Sequence, residues 1–271
     1  MGAQSIAWEH LAIGYLMLVI PVYYLFRHKT GLVGSALVSI LRMTVQLILI
    51  GTYLKYLFDY DRAWINIGWV VVMAGVATAS TVRRTEVSRR WFVLPVFAGM
   101  LAGTLVTDWI FLRWVIDLQD PFGARYLIPI SGMILGNNLS GSIIGLRTYT
   151  GGIQDHLVRY RHYLACGALP GEARSPFIRE ALKSTFQPTI ATMATLGLVK
   201  LPGMMTGQIL GGSAPIEAVQ YQIMIMVSIF TSSMITLMIT LLLANRFLFD
   251  SMANPILERM NPAYNAATEG S

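Results

Sequence analysis

The chain of 271 residues is 55% hydrophobic and 13% charged, with a net charge of +6 and a mean hydropathy of +0.57. A soluble domain carries charge at roughly a quarter of its positions, so this composition excludes one and calls for a bilayer. The arginines gather in particular loops, and the positive-inside bias accounts for the basic balance without a nucleic-acid partner.

Apolar runs of span length recur along the chain, and they are continuous rather than alternating. A segment in lipid must satisfy its backbone internally, and continuous runs of about 20 residues do so as helices. The chain therefore reads as an all-α membrane protein of about seven transmembrane helices. The spans are Ala7–Phe26, Leu32–Phe58, Ala63–Ser80, Trp91–Ile116, Tyr126–Leu146, Thr189–Leu210 and Ala218–Phe247. Together they form one transmembrane domain over residues 1–260, and the small, polar tail 261–271 reads as flexible. No Lys or Arg precedes the first run, so it is expected to remain as an anchor.

Orientation follows from the short connections. Arg27 and Lys29 follow the first span, and Arg83, Arg84, Arg89 and Arg90 follow the third; the alternate loops hold Asp59, Asp61 and Arg62, then Asp117, Asp120 and Arg125. The arginine-rich loops belong in the cytosol, which puts the N-terminus outside and the C-terminus inside. The basic stretch 147–187 then lies inside as well. Ile153, Leu157, Tyr160 and Leu164 recur there at helical spacing. Beyond Gly167, Pro170 can open a second helix with Ala173, Phe177, Ala181 and Phe186 as its apolar stripe and Arg179 among its charged residues. The only cysteine, Cys166, lies in this stretch, so no internal disulfide forms.

Polar groups at bilayer depth are costly and face a cavity or one another. Asn137 and Asn138 in the fifth span, Gln46 in the second and Gln208 at the end of the sixth are the candidates for a translocation pathway. Arg42 lies one turn before Gln46 on the same face, with snorkelling to the interface as its alternative. Asp108 has pairing with Arg113 as its alternative. Gly99, Gly103, Gly132, Gly136, Gly141, Gly145, Gly203, Gly207 and Gly211 give small-residue spacing, which serves either close helix packing or a sliding helix pair. Met133, Met204 and Met205 lie near the polar positions; thioethers ligate soft metals or fill irregular gaps. The four histidines lie outside the spans or at their margins, and no GxxxxGK[ST] phosphate loop occurs. An enzyme reading lacks a base in the bilayer, and any ATP-driven work needs an engine on another subunit. A run containing Pro202 and two glycines, Leu201–Leu210, should be kinked or unwound.

Three runs carry a family resemblance: RMTVQLILIGTYLKYLF at Arg42–Phe58, IPISGMILGNNLSG at Ile128–Gly141 and LVKLPGMMTGQILGGSAPIEAVQY at Leu198–Tyr221. They resemble the FetB/YbbM family of ABC-transporter permeases, typified by bacterial iron-export and plant aluminium-tolerance permeases. The likeness runs from Arg42 to about Ala244 and implies a homodimer in the bacterial plasma membrane. Each copy would engage a cytosolic FetA-like ATPase, with ATP and Mg held by that subunit and no cofactor by this chain. The run CGALPGEA at Cys166–Ala173 is similar to the loop by which ABC importers contact their ATPase, although Tyr163-Leu164-Ala165 stands where those begin Glu-Ala-Ala. The resemblance together with the amphipathic helix pair gives Gly167, Ala168, Pro170, Phe177 and Arg179 to coupling, while the polar positions and the kinked run give Gln46, Asn137, Asn138, Met204, Met205 and Gln208 to the pathway. Its expected cargo is iron or another metal. An organic solute such as a nucleotide sugar is the alternative within that class, and a non-transporting membrane scaffold the alternative outside it.

Overall fold

A computed structural model describes residues 7–260; the expected flexible tail, 261–271, lies outside the described residues. Regular structure there is helical: α1 Trp8–Tyr15, α2 Val19–Arg27, α3 Val33–Tyr60, α4 Ala63–Thr85, α5 Arg89–Ile110, α6 Ala124–Asp155, α7 Leu157–Ala165, α8 Pro170–Thr195, α9 Gly203–Leu210, α10 Pro215–Leu248 and α11 Leu257–Met260. A tight turn joins α1 to α2, and a π-type turn, Phe111–Val115, extends α5. Among the described residues six stretches are long and apolar enough to cross a membrane: Glu9–Arg27, Val33–Tyr60, Ala63–Thr85, Arg89–Val115, Ala124–Asp155 and Pro215–Leu248.

The core is a four-helix unit of α4, α5, α6 and α10, with α8 laid along α6. Its closest seam joins α5 to α10, where a Cβ at Gly99 would strike Thr240 Oγ1 and the Thr236 carbonyl. One turn on, a Cβ at Gly103 would meet the Ser232 carbonyl at 2.9 Å. Small residues are needed here because lipid is as apolar as the helix surfaces, so association rests on close packing and polar contacts. Gly145 plays the same part between α6 and the side chains of Leu237 and Thr185. Gly136, Gly203 and Gly207 face open space. The glycine stripes thus divide into packing seams and open surfaces.

Asp61 binds the α3–α4 turn to the start of α6. Its carboxylate accepts from the Ala124 amide at 2.6 Å and from Asn66 Nδ2 at 3.1 Å, while Asn66 Nδ2 also donates to the Phe122 carbonyl at 2.8 Å. Beyond that anchor α3 stands away from the bundle, and Leu57 is its one buried residue.

Three expectations about boundaries are corrected. The fifth span does not stop at Leu146: α6 continues to Asp155 and takes Ile153 into the core. The second amphipathic helix of the 147–187 stretch is not separate from the sixth span either, since α8 runs unbroken through Pro188 to Thr195. A proline inside a membrane helix bends it rather than ending it when neighbouring groups satisfy the freed carbonyls. The sixth span is itself broken, at Leu196–Pro202, so the unwinding lies just before the Leu201–Leu210 run, most of which is α9. Gly197 takes φ of +83° there, and the Thr195 carbonyl receives the amides of Leu198, Val199 and Lys200. Pro202, having no amide, opens the next helix.

Candidate functional site

The break after α8 roofs a groove of about 310 Å³ between α6, α8 and α10. Thr185, Thr189 and Thr192 line it from α8, Asn137 from α6, and Gln222 and Ser233 from α10. The three threonines lie at i, i+4 and i+7, one helix face. Lys200 lines the groove from the break itself. Across the break lies a second, apolar cavity of about 380 Å³, lined by Met193, Met205, Ile223 and Val227. Leu196, Pro202, Gln222 and Met226 belong to both linings. The irregular segment is therefore a partition between a polar and an apolar compartment. Non-helical backbone survives at membrane depth where it lines such a cavity, and broken helices mark the binding sites of many transporters.

The expected pathway residues divide. Asn137 lines the polar groove, its Nδ2 donating to the Met133 carbonyl at 2.8 Å. Met205 lines the apolar cavity, and Gln208 is half-buried on α9 with no partner for Oε1. Asn138 is a correction: it is 1% exposed and consumed by packing. Its Nδ2 donates to Ser232 Oγ at 2.9 Å, and its Oδ1 accepts from Ser233 Oγ at 2.9 Å. Gln46 lies apart from these, lining a separate cavity between α3, α4 and α6. Asp108 accepts from Ser131 Oγ at 2.6 Å, and Arg113 pairs with Asp117 instead.

The methionine candidates do not converge on a metal. Met133 and Met204 pack on the cluster of Phe111, Ile134 and Ile225, whereas Met205 faces the apolar cavity. Among the described residues no group of three or more His, Cys, Asp or Glu is placed to hold an ion.

At the other end of α8 the chain makes an elbow. Gly167 takes φ of +88° and closes α7, its amide donating to the Leu164 carbonyl while that of Ala168 reaches Tyr163. Pro170 opens α8, and Glu172 accepts the Leu169 amide at 2.8 Å. The elbow is presented outward: Leu169 is 66% and Val158 83% exposed, with Arg159, Arg161 and Arg179 exposed around them. Phe177, expected on that surface, is buried instead. It packs on Tyr160 at 6.2 Å between ring centroids, and Tyr160 packs at a tilt on Phe249 and donates to the Ala253 carbonyl at 2.7 Å. Phe177 thus fixes the elbow to the chain's own C-terminal segment, because its stripe faces the bundle. Burial raises the Tyr160 hydroxyl above its ordinary pKa, against a smaller pull from Arg174.

Sequence reasoning missed Thr185, Thr189, Thr192, Lys200, Gln222 and Ser233. The threonine spacing was visible, but a boundary drawn at Gln187 cut it in two.

The family described as "Uncharacterised protein family (UPF0014)" matches residues 8–249. The chain is 32% identical to "UPF0014 membrane protein YjkA" of Bacillus subtilis, over 88% of this chain and 94% of that one. It is 31% identical to "Protein ALUMINUM SENSITIVE 3" of Arabidopsis thaliana, covering 79% and 77%. To the "Probable iron export permease protein FetB" of Escherichia coli it is 27% identical, covering 93% and 95%. No solved structure matches. A membrane bundle with a broken helix, matched by this family over nearly its whole length, belongs to the UPF0014 family of integral membrane proteins, relatives of the FetB-type permeases.

Proposed function

We propose that this protein is the permease subunit of an ABC-type exporter, working as a homodimer and driven by a separate cytosolic ATPase. One observation carries the reading: α8 is a single helix with the exposed elbow at one end and the groove-lining Thr189 and Thr192 near the other. Its 26 residues span about 39 Å at 1.5 Å per residue, enough to connect a cytosolic surface with the middle of a bilayer. A partner that turns the elbow through Leu169 and Gly167 moves the groove wall directly. Exposed apolar side chains ringed by arginines suit docking into a partner's groove. The arginines gathered at this end support a cytosolic elbow by the positive-inside rule, and the reading sets the protein in the bacterial plasma membrane with Mg-ATP bound by the partner subunit.

A metal such as iron is the cargo to which the name of the Escherichia coli relative points. A second reading has its own observation. The groove offers hydroxyls, amides and the Lys200 ammonium without a carboxylate, a donor set suited to an oxygen-rich anionic solute such as a nucleotide sugar.

The test is transport and ATPase activity in proteoliposomes holding the permease and its ATPase, screened over metal ions and nucleotide sugars. Leu169→Asp is expected to lose the ATPase from the purified complex. Thr189→Val with Thr192→Val is expected to keep the complex and lose transport. A Leu169→Asp protein that still copurifies and transports normally would reject the coupling role of the elbow.

A further inference from the structure

A cavity larger than the groove lies away from it. Between α3, α4 and α6 is a cleft of about 740 Å³, open because α3 leaves the bundle beyond its Asp61 anchor. Its walls are apolar, including Ile50 from α3, Trp69 and Met73 from α4, and Leu139 from α6. Polar groups lie toward one end, where Arg42 and Arg84 both belong to the lining. The two arginines are level with each other. Counted along the helices from the α3–α4 turn, Arg42 lies about 27 Å and Arg84 about 32 Å away at 1.5 Å per residue. Hydrocarbon is about 30 Å thick, so a turn at one interface leaves both guanidiniums at the other. The lining holds no carboxylate, and among the described residues neither arginine is in an ion pair. The nearby Glu86 lies 3.7 Å from Arg147, whose guanidinium also donates to the Arg84 carbonyl at 2.6 Å.

We propose that this cleft is a binding site for one anionic phospholipid, with the headgroup phosphate between Arg42 and Arg84 and an acyl chain along the wall of α4 and α6. Basic pockets between helices at the cytosolic face hold such headgroups, and paired guanidiniums match phosphate oxygens. The chain length also fits. Met73 and Arg84, both in the lining, lie on α4 about 16 Å apart at the helical rise, which is the scale of one leaflet of a hydrocarbon core about 30 Å thick. The lipid would hold α3 against the bundle along a seam where protein contacts are few. The site is independent of the cargo and of the ATPase.

Native mass spectrometry of the full-length, detergent-purified protein tests this, with phosphatidylglycerol, phosphatidylcholine and inorganic phosphate as separate additions. Phosphatidylglycerol should be retained in preference to phosphatidylcholine, and phosphate should neither bind nor compete. Each arginine is expected to account for about fivefold of that preference, so Arg42→Gln with Arg84→Gln should lower it roughly 25-fold. Arg113→Gln, at the opposite end, should leave it unchanged. Gly136 lies in the lining with open space at its Cβ; Gly136→Phe should fill the cleft and lower retention while the protein stays folded. The proposal fails if the double variant keeps its preference, or if Gly136→Phe retains lipid as the parent does. It also fails if a cysteine at Gln46 cross-links efficiently to a second copy, which would make the cleft a protein interface.

Discussion

Asn138 on α6 donates to Ser232 on α10 at 2.9 Å, and this pair closes the polar seam at the centre of the bundle. The neighbouring Asn137 faces the groove. Adjacent residues on one helix point about 100° apart, which separates their tasks. Asn138→Leu leaves Ser232 and Ser233 without this partner and should cost about 1–2 kcal/mol, read by unfolding in mixed micelles. Asn137→Leu should stay within about 0.5 kcal/mol of the parent and reduce transport instead.

Gly99→Leu and Gly207→Leu should behave oppositely. At Gly99 the first added carbon already meets the α10 backbone, whereas nothing lies within 4 Å of a Cβ at Gly207. Overpacking costs about 1–3 kcal/mol even where side chains can yield, and a backbone carbonyl yields less. Gly99→Leu should depress folded yield in size-exclusion chromatography, and Gly207→Leu should elute as the parent does.

Asp61→Ala removes the acceptor from the Ala124 amide at the α6 start. Losing a cap of this kind costs about 1 kcal/mol. Because the same carboxylate tethers the α3 turn, hydrogen exchange should rise along α3 and stay unchanged in α10. Equal protection of α3 in variant and parent would show that the tether lies elsewhere.

Tyr160→Phe removes the donor to the Ala253 carbonyl while keeping the ring between Phe177 and Phe249. About 1 kcal/mol should be lost, appearing as faster proteolysis after Phe249. The pH sense follows from burial, which raises this phenol above its ordinary value of 10.0. The folded state therefore holds the proton more tightly, so the bond's contribution is whole below the ordinary value. It is lost as pH rises through the raised one. Parent and Tyr160→Phe should converge in stability only in strong alkali.

The sequence made the bundle legible because span length and hydrophobicity are local properties. Six of its seven expected spans fall on apolar helices. Side-chain facing was not legible. Asn137 and Asn138 are chemically identical, and only the position of α10 decides that one is a clamp and the other a groove lining. Phe177 likewise fitted an exposed stripe until Tyr160 and the C-terminal segment covered it. Composition could place Gln46 at membrane depth, but not on a helix that leaves the bundle.

Pro188 sits inside α8 between Thr185 and Thr189. It has no amide to return to the Ser184 carbonyl, and its ring crowds that group, which favours a bend of the rod at this point. A straight rod twisted about its own axis leaves its far tip in place. A cranked one sweeps the tip through an arc, with Thr192 and the partition at Leu196 riding on it. On the proposed coupling, an elbow that only rotates, without advancing toward the membrane, would carry the polar wall sideways across the mouth of the apolar chamber.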